Sequence, residues 1–415
     1  MTAELASVLD AVVAVEDLRR LAALTSDGRG AQRVAWTPTW ARAREWLLTE
    51  LAELPVEVDV DAAGNLWAEL RGDAGGPVLA LGSHLDSVPD GGWLDGALGV
   101  VAALAVLRAA AVSGFRAATL RLVDWADEEG ARFGHSLLGS SAATGQLDTS
   151  SAGALRDAAG VLLTDALAAH GVAVGRMHEA GERLRDLSAF LELHIEQGPV
   201  LERQEHALGV PTGSVAIHRM LLTFSGQTSH AGTTPLDERR DAGAAAAQAA
   251  LAARARAREH AGLATVGSVA LEPGVPTAVA GRATLTIDLR HRTDEGLAAL
   301  GSAIEADVRQ IAEEERVGVE AEPLWAFPAV AFDVRLVETI SAAAGGGPHL
   351  VSGALHDAVA IARSGIPTAM LFVRSIGGIS HAAVEDTSEP DLIAALRSFA
   401  AGVEAVATDP RWNRN

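Results

Sequence analysis

GPVLALGSHLDSVPDGGWLDGALGVVAALAVLRAAAVSG, residues 76–114, sets a short apolar run, a polar loop and a long small-residue run in series. The first run is short and bounded by Gly-Pro, so it reads as a buried strand. The last reads as a helix that packs through Ala and Gly. Between them His84, Asp86 and Asp95 flank a Gly-Gly turn. Such a segment is either a polar surface loop or one part of a metal site, and the rest of the chain has to decide.

The same alternation continues outward. ATLRLVDWADEEG (118–130), SAFLELHIEQGP (188–199) and IPTAMLFVRSIGGISH (366–381) each begin as an apolar strand and end in polar residues. Near-continuous apolar strands separated by helical stretches predict an α/β fold, a mostly parallel mixed sheet covered by helices. Residues 212–329 follow another order. Strand patterns at 215–226, 264–274, 282–292 and 317–328 enclose helical patterns at 237–262 and 293–316. The order β-α-β-β-α-β predicts an inserted ferredoxin-like α+β domain. The expected division is 1–211 with 330–415, and 212–329.

At 415 residues the chain exceeds one ordinary core, which agrees with two domains. A formal charge of −21 argues against nucleic acid and anionic membrane surfaces as partners. There is no cysteine, which excludes thiol nucleophiles, thiolate metal sites and disulfides. MTAELASVLDAVVAVEDLRR carries acids where a signal peptide needs a basic start. No uninterrupted apolar run approaches the ~18 residues of a membrane helix. A soluble cytoplasmic protein is expected.

Four strand ends thus carry candidate ligands: His84, the pair Glu128 and Glu129, His194, and His381. Open α/β sheets bind ligands at the carboxyl ends of their strands. Asp86, two residues beyond His84, shares its face in an extended segment and is placed to fix the imidazole tautomer. Asp95 follows the Gly-Gly turn and precedes a helix. Histidine and carboxylate without sulfur suit Zn²⁺, Mn²⁺, Co²⁺ or Ni²⁺. Three histidines and two carboxylates exceed the needs of one catalytic zinc and would supply two ions sharing an aspartate. Consecutive side chains diverge, so one of Glu128 and Glu129 can bind metal while the other faces the substrate water. His135, His170, His178, His206, His218, His260, His291 and His349, each standing alone, read as structural or surface residues.

As a set, GSHLDSVP, DGALGV, DEEGARF, ELHIEQGP, SHAGTTP, DLRH, HDA and GISH resemble the dinuclear zinc amidohydrolases of the aminoacylase and carboxypeptidase type. The nearest resemblance is to their hydantoinase/carbamoylase branch, and it spans nearly the whole chain. It implies one metal held by His84, Asp95 and His194, and a second held by Asp95, Glu129 and His381. Glu128 would be the general base, Asp86 would support His84, and Gln197 would lie near substrate. It also implies a homodimer formed through the inserted domain, whose His230 would help stabilise the oxyanion in the partner's site. Arg290 would clamp a substrate carboxylate, for which its fork geometry is suited. Alone, Arg290 reads as a strand-end salt bridge and His230 as a capped loop residue.

Three segments depart from the branch pattern, at four positions. Thr277 replaces a substrate-contacting Asn, Leu355 replaces a Gly beside the expected pocket, and Arg374 and Asp386 stand where Pro and Tyr are usual. Arg374 is expected to add a cation near the pocket. The function implied is hydrolysis of the ureido C–N bond of N-carbamoyl-L-amino acids, with two divalent ions per subunit. Allantoate amidohydrolase and β-ureidopropionase are alternatives within the class. A metal-binding partner or sensor protein of weak activity is the alternative from another class.

Overall fold

Four apolar runs pair side by side at the centre of one sheet, in the spatial order Thr119–Trp125, Val78–His84, Ala189–Ile195 and Thr368–Val373. All three pairings are parallel. Nearly every residue in these strands is buried, the polar Arg121, Asp124 and Glu192 included, so both faces of the sheet are covered. The register sets His84 beside Trp125 and Val373 beside Ile195, which brings the carboxyl ends to one edge. Leu66–Leu70 and then Glu57–Val60 extend one side antiparallel. Leu208–Ser214 joins the other side antiparallel to Thr368–Val373. This is the α/β fold with a mostly parallel mixed sheet that the sequence predicted.

A computed structural model of the chain describes residues 5–413, so the first residues of the N-terminal stretch read above lie outside the described part. The chain divides into two compact units, one taking the residues up to Gly213 and from Ala331 onward, the other Ser214–Val330. In the larger unit, helix Ala97–Ser113 follows the loop quoted first and is buried on nearly every side. That is why its sequence lacks a polar stripe. It ends at Gly114, whose left-handed backbone lets its N–H cap the carbonyl of Ala110.

The smaller unit is a four-stranded antiparallel sheet in the order Gly318–Phe327, Ala216–Ser225, Arg282–His291, Leu263–Glu272. Helices Ala242–Glu259 and Asp294–Glu314 pack on it through Ala245, Ala249, Ala253, Leu300, Ile304 and Val308. The first helix starts later than its charged leading residues suggest. Asp241 accepts the N–H groups of Gly243 and Ala244 and caps it there. Among the described residues no helix is long and apolar enough to cross a membrane.

Candidate metal centre

The carboxyl edge of the parallel strands gathers His84, Asp95, Glu128, Glu129, His194 and His381. His84 ends its strand and is buried. Its Nδ1 donates to the carbonyl of Asp86 at 3.0 Å. His194 Nδ1 donates to the carbonyl of Ile195 at 2.9 Å. In the neutral form that binds a metal an imidazole has one N–H, and with Nδ1 so engaged both rings turn the Nε2 lone pair inward. Both lone pairs face Asp95 Oδ1, at 3.8 Å from His84 and 3.2 Å from His194. On the other side of the same carboxylate, His381 Nε2 is 3.5 Å from Asp95 Oδ2 and 3.4 Å from Glu129 Oε2. Two triads result, His84–Asp95–His194 and Asp95–Glu129–His381, sharing Asp95.

The carboxylate of Asp86 faces the His84 ring and does a second thing besides. It lies 3.6 Å from His84 Nδ1, farther than its own carbonyl. Its two oxygens also accept the backbone N–H groups of Glu128 and Glu129, each at 3.1 Å. Asp86 therefore holds the turn that presents both glutamates. The turn is further fixed by Asp127, which takes a left-handed φ of 59° and accepts the indole N–H of Trp36 at 2.8 Å. Glu128 approaches His84 Nε2 at 3.7 Å, while Glu129 turns toward His381. The helix start at Gly96 also needs glycine. Its φ is 65°, and a Cβ there would run into the His84 ring.

The electrostatics ask for positive charge. Burial pushes the Glu128 and Glu129 carboxyls well above their ordinary range, and neighbouring acids push them further. Burial lowers His84, yet Glu128, Asp86 and Asp95 outweigh it and raise the ring well above its usual value. Burial raises Asp95, but His194, His84 and His381 together hold it below the ordinary range. Buried acids without cations are costly, and Glu129 Oε1 is buried with no hydrogen-bond partner. Converging Nε2 lone pairs and carboxylate oxygens, without sulfur, fit divalent cations of the zinc or manganese type.

The remaining expected residues fall as follows. Gln197 Nε2 donates to Asp95 Oδ2 at 2.8 Å. Leu355 is half-buried, next in sequence to the buried His356. Arg374 does not offer a free cation, since its guanidinium pairs with Asp391 on the last helix, Nη2 to Oδ2 at 2.5 Å. In the smaller unit, Arg290 Nε donates to Asp288 Oδ1 at 2.8 Å. Exposed His230 accepts the N–H of Gly232 on Nδ1 at 3.0 Å, leaving Nε2 as the ring's donor. Ala278 pairs with His230 across a short two-stranded ladder, which brings Thr277 beside the His230 turn. Of the solitary histidines, His170 packs edge-on against Trp36 and Trp40.

Sequence reasoning missed four residues here, three of them buried and Ser380 half-buried. Glu192 Oε1 accepts the hydroxyl of Ser83 at 2.6 Å, and Oε2 accepts the N–H of Ala358. His356 packs against the His194 ring at 4.5 Å between centroids. Ser380 and Glu385 bind around Asp95. Burial and the Asp95 charge push the Glu385 carboxyl up to about 7. The signal available was position: Glu192 opens ELHIEQGP, His356 opens HDA, Ser380 lies inside GISH and Glu385 follows it by four residues.

A model of the family described as Peptidase family M20/M25/M40 matches residues 80–405. An N-carbamoyl-L-amino-acid amidohydrolase of Paenarthrobacter aurescens is 34% identical over 385 residues, covering 91% of this chain and 93% of that protein. An allantoate amidohydrolase of Bacillus subtilis (strain 168) is 34% identical over 389 residues, covering 90% and 92%. The crystal structure of an amidase of the hydantoinase/carbamoylase family from Burkholderia multivorans matches with a TM-score of 0.86 at 32% identity, covering 97% of this chain and 100% of that one.

Proposed function

The chain belongs to peptidase family M20/M25/M40 and is a hydrolase of amide C–N bonds; on that premise we propose that it cleaves the ureido bond of N-carbamoyl-L-amino acids. One water is consumed, and the amino acid, ammonia and CO₂ are released. The observation that carries this reading is the pair of inward Nε2 lone pairs on Asp95, with the non-ligand carboxylate of Glu128 beside them. Allantoate is the second reading, because the B. subtilis relative is as similar as the carbamoylase.

In this reading His84, Asp95 and His194 hold one divalent ion, and Asp95, Glu129 and His381 hold a second. Zn²⁺, Mn²⁺, Co²⁺ and Ni²⁺ all suit the donors. Bound ions would polarise the substrate carbonyl and lower the pKa of water to about 7. Glu128 takes the proton of the attacking water on its carboxylate and returns it to the leaving nitrogen. Gln197 lies beside the substrate. His230, with its proton on Nε2, donates to the oxyanion, in trans within a homodimer. Thr277 and Leu355 shape the substrate pocket, and the exchange of an amide for a hydroxyl at 277 shifts preference among ureido substrates.

The first test is ammonia release by the manganese-, cobalt- or zinc-loaded protein from N-carbamoyl-L-amino acids, N-carbamoyl-β-alanine and allantoate. Release confined to the first group supports the leading reading, and release from allantoate alone moves the assignment to the second. Arg290 has a separate test. As the clamp on the substrate carboxylate, it contributes charge-assisted hydrogen bonds of ~1.5–3 kcal/mol, or about 10–100-fold in affinity. Arg290→Ala is expected to raise KM by that factor with a smaller change in kcat. An unchanged KM would return Arg290 to its pairing with Asp288.

A further inference from the structure

Asp95 has to present different oxygens to the two triads, yet an aspartate χ2 is broad and nearly two-fold, so rotation alone would exchange them. The structure holds the orientation from outside the ligand set. Glu385 is 2% exposed. Its Oε1 accepts the backbone N–H groups of Leu94 at 3.1 Å and Asp95 at 3.0 Å. Its Oε2 lies 2.9 Å from Ser380 Oγ, and that hydroxyl is 2.7 Å from Asp95 Oδ2. Gly92, in the Gly-Gly turn, makes room for this carboxylate, since a Cβ there would run into it. Ser380 immediately precedes His381. The contacts therefore join the loop carrying Asp95 to the loop carrying His381.

The geometry points to Ser380 and Glu385 as positioning residues that clamp Asp95, so that Oδ1 serves the His84–His194 half and Oδ2 serves the Glu129–His381 half. This rests on the metal reading proposed above. Glu385 fixes the backbone of the loop through two amides, and Ser380, with Gln197 Nε2 on the same oxygen, fixes the side chain. Neither belongs to the two triads.

Two measurements test the clamp. The first is amide hydrogen exchange of the metal-free protein. Glu385→Ala is expected to speed exchange at Leu94 and Asp95 by at least about tenfold, whereas Glu385→Gln keeps an acceptor oxygen and is expected to restore protection. Unchanged exchange in Glu385→Ala overturns the proposal. The second is a Co²⁺ titration of Ser380→Ala, which leaves both backbone N–H donors on Glu385 in place and serves if Glu385→Ala fails to fold. Changes around ligands typically cost 10–100-fold in metal affinity. The later-binding ion is therefore expected to bind about tenfold more weakly, with a shifted visible absorption band. An isotherm and spectrum superimposable on those of the parent chain overturn the role of Ser380. A parent chain that takes up fewer than two ions refutes the dinuclear reading, and the exchange measurement, made without metal, still judges the clamp.

Discussion

Glu128→Gln is expected to take up metal as the parent chain does while turning over ureido substrates about 10²–10⁴-fold more slowly. The side chain is buried and near-isosteric with glutamine, and its backbone N–H stays held by Asp86. It stands beside the two triads without belonging to either. Only the capacity to accept and return a proton is lost. Metal content by elemental analysis, measured with kcat, separates chemistry from binding, and undiminished turnover would sink the assignment of Glu128 as base. The same variant tests the homodimer. If His230 acts in trans, mixing Glu128→Gln subunits with His230→Ala subunits restores partial activity, because one mixed site carries both intact groups. Absence of complementation between dimers that exchange subunits would place His230 outside the partner's site.

Asp95→Asn should give the opposite signature, with metal lost first and activity lost with it. Asp95 is the one carboxylate common to both triads, and three histidines are aimed at its two oxygens. Substitutions that only orient a ligand cost 10–100-fold in metal affinity, so removing the shared anionic ligand is expected to cost more than about 100-fold. The carboxamide keeps the volume, and the fold around it should persist. Isothermal titration with Zn²⁺ or Mn²⁺ reads the loss directly. Two ions bound at parental affinity would mean that Asp95 is not the bridge.

What the sequence revealed followed from period and position. The runs ending at His84, Trp125, Ile195 and Val373 are mostly apolar, so they read as central parallel strands, and their polar endings read as a site. The α/β fold and the hydrolase class were legible on that basis, together with the motifs. Leu208–Ser214 was not. Its sequence, LGVPTGS, holds one proline and two glycines, which weakens any strand signal, and it pairs with Thr368–Val373 over two residues only. Glu385 and Ser380 escaped because a single carboxylate and a single hydroxyl in a loop have no pattern. Their meaning comes from the amides of Leu94 and Asp95, which folding brings to them. Arg374 was misread for a related reason, since its partner Asp391 lies on the final helix and only tertiary structure joins them. Asp86 was placed on the right loop, but the proximity of His84 concealed its grip on the backbone of Glu128 and Glu129.

The parallel sheet also sets an order of events in folding. The proposed ligands come from segments spread between His84 and His381, and apart from His84 and Asp95 they meet only once distant strands have paired. Parallel pairing demands the closure of long loops before any contact rewards it, which makes it slow. The unfolded chain thus has no pocket with which to capture an ion and nucleate around it. A divalent ion would act after the barrier, slowing escape from the native state rather than hastening entry to it. On the ribosome, the centre could not close until His381, late in the sequence, had emerged.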